Sequence, residues 1–240
     1  MAMKSAVLFD LGGTLVQYYG RSEIPEVLRE AITAVRDCLG QRGLLQVSEE
    51  EMRKRAAEEG YEASDYRVRP VAQRLMRIFQ LDECTCSAAL LAAMCRSFLG
   101  PVFRRARRYD DAISVLQQLR SDGCKVAIVS NTAWGSPGDM WREEVVRHGL
   151  DGLVDVTVFC SDVGWRKPAP QIFHYTLEKL GIGPEECIFI GDDPRWDFRG
   201  PQAVGLAAVL LDRGGTMQDV TEERVRDLYE FYARIREVQS

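Results

Sequence analysis

Three polar residues close three apolar runs in this chain. Asp10 follows Ala6-Val-Leu-Phe9, Ser130 follows Val126-Ala-Ile-Val129, and Asp192 follows Ile188-Phe-Ile-Gly191. Short apolar runs of this kind read as strands buried on both faces of a parallel sheet. Ligands of open α/β sheets bind at the carboxyl ends of such strands. A single Asp at a strand end reads as a turn or helix cap, but three polar ends plus a nearby lysine read as a site. Asp193 and Asp197 follow closely, so Asp10, Asp192, Asp193 and Asp197 place four carboxylates near one edge. Like charges at that range are costly. One divalent cation and one lysine would offset them, and hard oxygen donors suit Mg²⁺, which shares its shell with waters and phosphate oxygens. The lysine is Lys167, one of five in the chain, in Gly164-Trp-Arg-Lys-Pro-Ala-Pro170 ahead of a helical stretch. Taken alone it would read as a solvated loop lysine.

The elements that must carry these residues alternate. Strands are expected at Ala6–Phe9, Val126–Val129, Val154–Phe159, Ile188–Ile190 and Ala207–Leu211. Helical periodicity fills Ala112–Ser121, which stops at Asp122-Gly123, and Pro170–Leu180, which stops at Gly181. Alternation of this sort predicts an α/β fold, a doubly wound parallel-sheet (Rossmann-like) core. From about Ser22 to Phe103 no strand is expected. Val27, Leu28, Ala31, Ile32, Val35 and Leu39 form one helical stripe there, and Val71, Leu75, Met76 and Phe79 another. The block reads as an inserted α-helical cap domain, residues 17–104, with the core at 1–16 and 105–240. Internal repeats and low-complexity segments are absent from the sequence.

The 240 residues are 46% hydrophobic and carry a net charge of -5. That is enough chain for a packed core with an insertion. The mild acidic balance argues against nucleic acid or a membrane surface as partner, while a small anionic metabolite can meet a locally positive site. The seven cysteines include no CxxC pair and sit mostly in apolar runs, which reads as reduced, buried thiols. Two histidines, His148 and His174, leave a zinc centre or a Ser-His triad short of ligands. The absence of a leader-like or membrane-length apolar run makes a cytoplasmic location the expectation.

Four segments, in order, resemble the haloacid dehalogenase-like (HAD) hydrolase superfamily. They are Phe9-Asp-Leu-Gly-Gly-Thr-Leu15, Val129-Ser-Asn131, Arg166-Lys-Pro-Ala-Pro-Gln-Ile-Phe173 and Gly191-Asp-Asp-Pro-Arg-Trp-Asp197. The resemblance implies a Mg²⁺-dependent phosphatase acting on a small phosphate monoester. Asp10 would attack phosphorus and form an aspartyl-phosphate. Ser130 and the backbone of Asn131 would hold phosphoryl oxygens, and Lys167 would neutralise developing charge. Asp10, the Gly12 carbonyl and Asp192 would bind the metal, with Asp193 and Asp197 completing its shell or orienting Lys167. The inserted helices resemble the cap that follows the first motif in that family.

Gly12 departs from the usual pattern of the family's active phosphatases, a second Asp two residues after the nucleophile that protonates the leaving group and later activates water. Some phosphatase-like members resemble this sequence in having Gly there. Loss of a positioned acid-base group costs about 10²–10⁴-fold in rate. Three explanations stay open: an acyl, aryl or anomeric leaving group that departs unassisted, a substitute such as water, Tyr18, Tyr19 or Glu23, or weak turnover by a protein that mainly binds phosphorylated ligands. A 2-haloacid dehalogenase-like hydrolase is the alternative reaction. A phosphonatase-like reaction would want a lysine in the insertion, where the sequence offers Lys54. Arg104-Arg105-Ala-Arg107-Arg108 reads as a solvated linker where the chain returns to the core. Tyr18-Tyr19 reads equally as pocket lining or hinge packing, and Trp134-Gly-Ser-Pro137 as a pocket wall or a core contact.

Overall fold

The computed structural model describes residues 5–60, 64–82, 84, 86–217 and 223–237. The expected core and insertion ranges also take in residues 1–4, 61–63, 83, 85, 218–222 and 238–240, which lie outside the described residues. In chain order the strands are β1 (Ala6–Phe9), β2 (Val16–Gln17), β3 (Arg107–Arg108), β4 (Lys125–Ser130), β5 (Val156–Phe159), β6 (Cys187–Gly191), β7 (Ala207–Leu211) and β8 (Arg224–Val225). The helices are α1 (Ile24–Gly40), α2 (Glu49–Glu58), α3 (Val71–Phe79), α4 (Ala88–Arg104), α5 (Asp110–Ser121), α6 (Gly138–Arg147), α7 (Cys160–Val163), α8 (Pro170–Leu180), α9 (Gly200–Gln202) and α10 (Leu228–Glu237).

Six strands form one sheet in the order β5-β4-β1-β6-β7-β8, and every pairing in it is parallel. The expected doubly wound α/β core is present. β1 lies at the centre because all four of its residues are fully buried apolar groups that suit a strand covered on both sides. Alternate residues feed opposite faces, as the two-residue period of a strand requires. Val7 and Phe9 join one apolar cluster with Val115, Leu116 and Leu119 of α5 and Leu228 and Phe231 of α10. Ala6 and Leu8 join the other with Ile172, Phe173, Leu177 and Leu180 of α8. In the first cluster the Phe9 and Phe231 rings meet edge to face at 6.2 Å.

The ends of the elements follow local chemistry. β5 starts at Val156 rather than Val154, because the chain first passes through a short 3-10 turn at Asp151–Leu153. α5 starts two residues before the apolar pattern, with Asp110 and Asp111 in its first turn, where carboxylates meet the positive end of the helix dipole. α8 starts on Pro170 and ends at Gly181 in the left-handed region, φ 67°. α10 and the β8 strand lie beyond the last expected strand; a two-residue strand carries too little pattern to be read from sequence.

Four helices, α1 to α4, fill the segment in which no strand was expected, and none of the named strands falls there. α1 packs along α4, and α3 against α4 and α2. The α1 stripe buries Val27, Ala31, Ile32, Val35 and Leu39, and the α3 stripe Val71, Leu75, Met76 and Phe79. Ser48 and Ser87 cap α2 and α4 by accepting from the N–H groups of Glu51 and Leu90. The helices leave and re-enter the sheet layer through an antiparallel ribbon in which Val16 faces Arg108 and Gln17 faces Arg107. Arg107 and Arg108 are exposed on that ribbon, and Arg105 pairs with Glu30 at 2.9 Å, so the basic run is a surface junction. Among the described residues no helix is long and apolar enough to cross a membrane.

Candidate active site

β1, β4 and β6 are adjacent, and their carboxyl ends set Asp10, Ser130 and Asp192 side by side. Asp10 leaves β1 with its N–H bonded to Ile190 O of the neighbouring strand at 2.9 Å, so its backbone is still held by the sheet. Its Oδ1 accepts from Ser130 Oγ at 2.9 Å and from Lys167 Nζ at 2.6 Å. The same ammonium donates to Asp197 Oδ1 at 2.6 Å. Lys167 is 2% exposed, so the solvated-lysine reading does not describe this residue. Burial opposes its charge, but the carboxylates of Asp10 and Asp197 outweigh that and hold its pKa above the ordinary lysine value.

The backbone of the Lys167 loop is tied to β4. Asn131 Oδ1 accepts from Lys167 N at 2.9 Å, and Asn131 Nδ2 donates to Lys167 O at 3.2 Å. Asp197 lies on a π-helical turn, Pro194–Arg199, that follows β6. Its Oδ2 accepts from Asp193 N at 3.0 Å. Gly191 admits this approach, since a Cβ there would fall 2.5 Å from Asp197 Cβ and Cγ. Gly13 performs the same service for Asp192: it has φ +83°, and a Cβ would lie 2.4 Å from Asp192 Oδ2.

Oxygen atoms of Asp10, Asp192 and Asp197 all come within 4.8 Å of one another. Three carboxylates there face one ammonium, an excess of buried negative charge. Burial and that excess together raise the pKa values of Asp192 and Asp197. Burial first, then the charges of Asp10 and Asp197, push the Asp192 carboxyl well above the usual carboxylate range. Burial and the Asp10 charge push Asp197 up to about 7, although Lys167 pulls it down. A hard divalent cation fits this donor set and would relieve the repulsion. Gly12 lines the same cavity. Asp193 lines it too but stays outside the group of three; its Oδ1 accepts from Arg195 N and Trp196 N at 2.9 Å, capping the turn.

A cavity of about 380 Å³ opens over these residues. Its far walls come from Tyr18, Tyr19, Ile24, Trp141, Arg166 and Trp196. The order of the chain gave no sign that Trp141 or Trp196 would share a pocket, and Arg166 was expected only as part of a loop motif. Tyr18 is both lining and packing, with its ring 5.3 Å from Trp141 and 6.5 Å from Phe103. Its hydroxyl is buried without a hydrogen-bond partner among the described residues. Burial, then the charges of Glu144 and Asp10, hold that phenol well above its ordinary pKa. Trp134 is buried, stacked on Phe98 at 5.5 Å, and belongs to the packing behind Ala133 rather than to the main cavity wall.

A second polar assembly braces the loop after Asp10. Arg213, just past β7, donates to both oxygens of Asp111 at 2.8 Å and to Thr14 O at 2.9 Å. Asp111 also accepts from Leu228 N at 2.9 Å. Its members are too far apart in the chain for spacing to have linked them.

Fold and site together define a doubly wound parallel α/β protein with a lysine-bridged carboxylate cluster at the carboxyl edge of its central strands. A family model described as haloacid dehalogenase-like hydrolase matches residues 4–205, and the chain belongs to that family. It is 31% identical over 230 residues to the glyceraldehyde 3-phosphate phosphatase of Methanopyrus kandleri, covering 95% of this chain and 92% of that one. It is 34% identical over 143 residues to the phosphoserine phosphatase of Thermus thermophilus, covering 57% of this chain and 56% of that one. Among solved structures it resembles a HAD phosphatase from Thermococcus onnurineus, with TM-score 0.67, 28% identity and coverage of 96% and 97%. A 2-haloacid dehalogenase from Pseudomonas syringae pv. Tomato DC3000 shares the fold, with TM-score 0.71 at 18% identity and coverage of 99% and 100%.

Proposed function

We propose that this hydrolase is a Mg²⁺-dependent phosphatase that cleaves a small phosphate monoester through an aspartyl-phosphate at Asp10. The observation that carries the reading is Lys167, with Nζ 2.6 Å from both Asp10 and Asp197 beside a third carboxylate. The phosphatase names of the Methanopyrus kandleri and Thermus thermophilus relatives support phosphate-ester chemistry over halide release. So does the carboxylate cluster, because a halide leaving group calls for no cation beside the nucleophile.

Ser130 and Lys167 fix the Asp10 carboxylate through one oxygen, so its plane is set before substrate arrives. An Asp10 oxygen attacks phosphorus as the ester bond breaks, and water then cleaves the acyl phosphate to restore Asp10. Lys167 stays protonated throughout and balances charge on the transferring group. Ser130 and the Asn131 backbone supply hydrogen bonds to its oxygens. Asp10, Asp192, Asp197 and the Gly12 carbonyl would hold Mg²⁺, with Asp193 shaping the turn that presents Asp197. The cation, when bound, supplies Lewis-acid stabilisation of phosphoryl charge. Residues 17–104 act as a cap that excludes water and sets specificity through Tyr18, Tyr19 and Ile24.

The test is phosphate release from p-nitrophenyl phosphate with and without Mg²⁺, for the wild type and Asp10→Asn. Turnover that needs Mg²⁺ and is abolished in D10N is expected. Metal-independent turnover, or a fully active D10N variant, would overturn the reading.

A further inference from the structure

Resting on the phosphatase reading, we infer that the ester this site is built for is an aryl phosphate, in which the leaving oxygen is a phenol oxygen. Two independent features of the cavity point the same way.

The first is that, among the described residues, no carboxyl group outside the acidic cluster and the turn after β6 lines the cavity. Among the described residues that line the cavity, the carboxyl groups are Asp10, Asp192, Asp193 and Asp197. Asp10 and Asp197 are engaged by Lys167, Asp192 clusters with them, and Asp193 accepts from two backbone N–H groups. Lys167 is clamped between two carboxylates. The Tyr18 hydroxyl is sealed from solvent. Gly12, beside Asp10, contributes no side chain, although its backbone lies outside the left-handed region and a Cβ would rest at an ordinary 3.5 Å from Tyr18 Cδ2. Each carboxyl group that lines the cavity is thus committed within the cluster or its turn, and the Gly12 position adds none. An alkoxide, whose conjugate acid is far weaker than a phenol, would have to leave unprotonated at a cost of about 10²–10⁴ in rate. A phenolate needs no such help.

The second feature is the lining itself. Tyr19, Trp141 and Trp196 line the cavity together with Ile24. The Arg166 guanidinium lies over the Trp196 ring, 5.6 Å from its centroid. Aromatic walls backed by a cation suit a flat ring better than a hydroxylated chain, which would lose its hydrogen bonds there. In the step itself, an Asp10 oxygen bonds to phosphorus as the bond from phosphorus to the phenol oxygen breaks. The electron pair departs with the phenolate, which takes its proton from solvent. Water then cleaves the acyl phosphate to give inorganic phosphate and Asp10.

The experiment compares kcat and KM of the Mg²⁺-loaded enzyme for phenyl phosphate, substituted phenyl phosphates, cyclohexyl phosphate and glyceraldehyde 3-phosphate. Cyclohexyl phosphate matches the apolar shape but leaves as an alkoxide. The expected result is a kcat for phenyl phosphate about 10²-fold or more above that for cyclohexyl phosphate, rising further as the phenol becomes more acidic. Trp196→Leu should raise KM for phenyl phosphate about 5–10-fold and leave inhibition by inorganic phosphate unchanged. Equal or faster turnover of either alkyl ester overturns the inference while sparing the phosphatase reading, as does an unchanged KM in W196L. No turnover anywhere in the panel overturns both.

Discussion

Asn131 and Lys167 grip each other through a reciprocal pair of hydrogen bonds: the Asn131 side chain accepts from Lys167 N at 2.9 Å and donates to Lys167 O at 3.2 Å. The two bonds together admit one orientation of the amide, since its oxygen must meet the N–H and its nitrogen the carbonyl. The end of β4 thereby sets the position of a lysine that arrives 36 residues later in the chain.

Removing that grip should misplace the ammonium without removing it. Asn131→Ala is expected to lower kcat about 10–10²-fold, in line with the sensitivity of positioned groups to small displacements, with a smaller change in KM. It should also cost about 1–3 kcal/mol of stability for the backbone groups left unpaired. Steady-state kinetics and urea unfolding measure the two effects; an N131A enzyme with wild-type kcat would show that the Lys167 loop holds itself.

Lys167 compensates two buried carboxylates at once, so its loss should be felt in stability as well as rate. Lys167→Met is expected to abolish turnover and to destabilise the apo protein by about 3–5 kcal/mol, because breaking a buried ion pair strands the opposite charge. Added Mg²⁺ should return part of that stability in the variant. Denaturant melts with Mg²⁺ or with EDTA decide it, and an unchanged midpoint for K167M would contradict the charge balance described above.

The acidic cluster makes the apo protein sensitive to pH in a defined direction. Asp192 is held well above the usual carboxylate range by burial and its carboxylate neighbours, and Asp197 is pushed up to about 7, mainly by burial. Between about pH 4, the unfolded value, and about pH 7, the folded state holds more protons than the unfolded one. Stability in EDTA should therefore fall as pH rises through that window. Mg²⁺ at 100 times its Kd should add about 2.7 kcal/mol at neutral pH. Asp192→Asn is expected to flatten the pH slope and weaken the Mg²⁺ effect, read as Tm against pH with and without metal.

The Arg213–Asp111 pair predicts an effect on the site from well outside it. Arg213 reaches Thr14 O at 2.9 Å and so braces the loop that carries Gly12 and Gly13. Arg213→Met should cost about 3 kcal/mol of stability, since it leaves Asp111 buried and short of a partner. Arg213→Lys should recover part of this, because lysine keeps the charge and loses the two-pronged geometry. If the brace positions the Gly12–Gly13 turn, R213M should also weaken Mg²⁺ binding, measured by titration calorimetry on folded protein.

The local pattern of the chain was sufficient for five of the six sheet strands and for one edge of the site. Four consecutive apolar residues ahead of Asp10, and similar runs ahead of Ser130 and Asp192, are buried strands by composition alone. A parallel sheet then gathers their carboxyl ends without further instruction. The helical stripes of the insertion were legible for the same reason, because burial of one face repeats along the chain.

Which charges meet was decided in three dimensions. Lys167 in a proline-flanked loop carries no sequence mark of burial, yet the loop folds inward and its ammonium is enclosed by two carboxylates. Asp193 and Asp197 both follow Asp192 closely in the chain, and Asp193, as its immediate neighbour, was the weaker candidate for a metal ligand. The turn after β6 separates them, spending Asp193 on the N–H groups of Arg195 and Trp196 and swinging Asp197 back to Lys167. Asp111 and Arg213, 102 residues apart, are joined only when α5 and the end of β7 are packed on the same sheet. Periodicity reports which face of an element is buried, and that is a property of neighbours in sequence. Ion pairs and pocket walls depend on how separate elements close on one another, and that is fixed by the packing of the whole core.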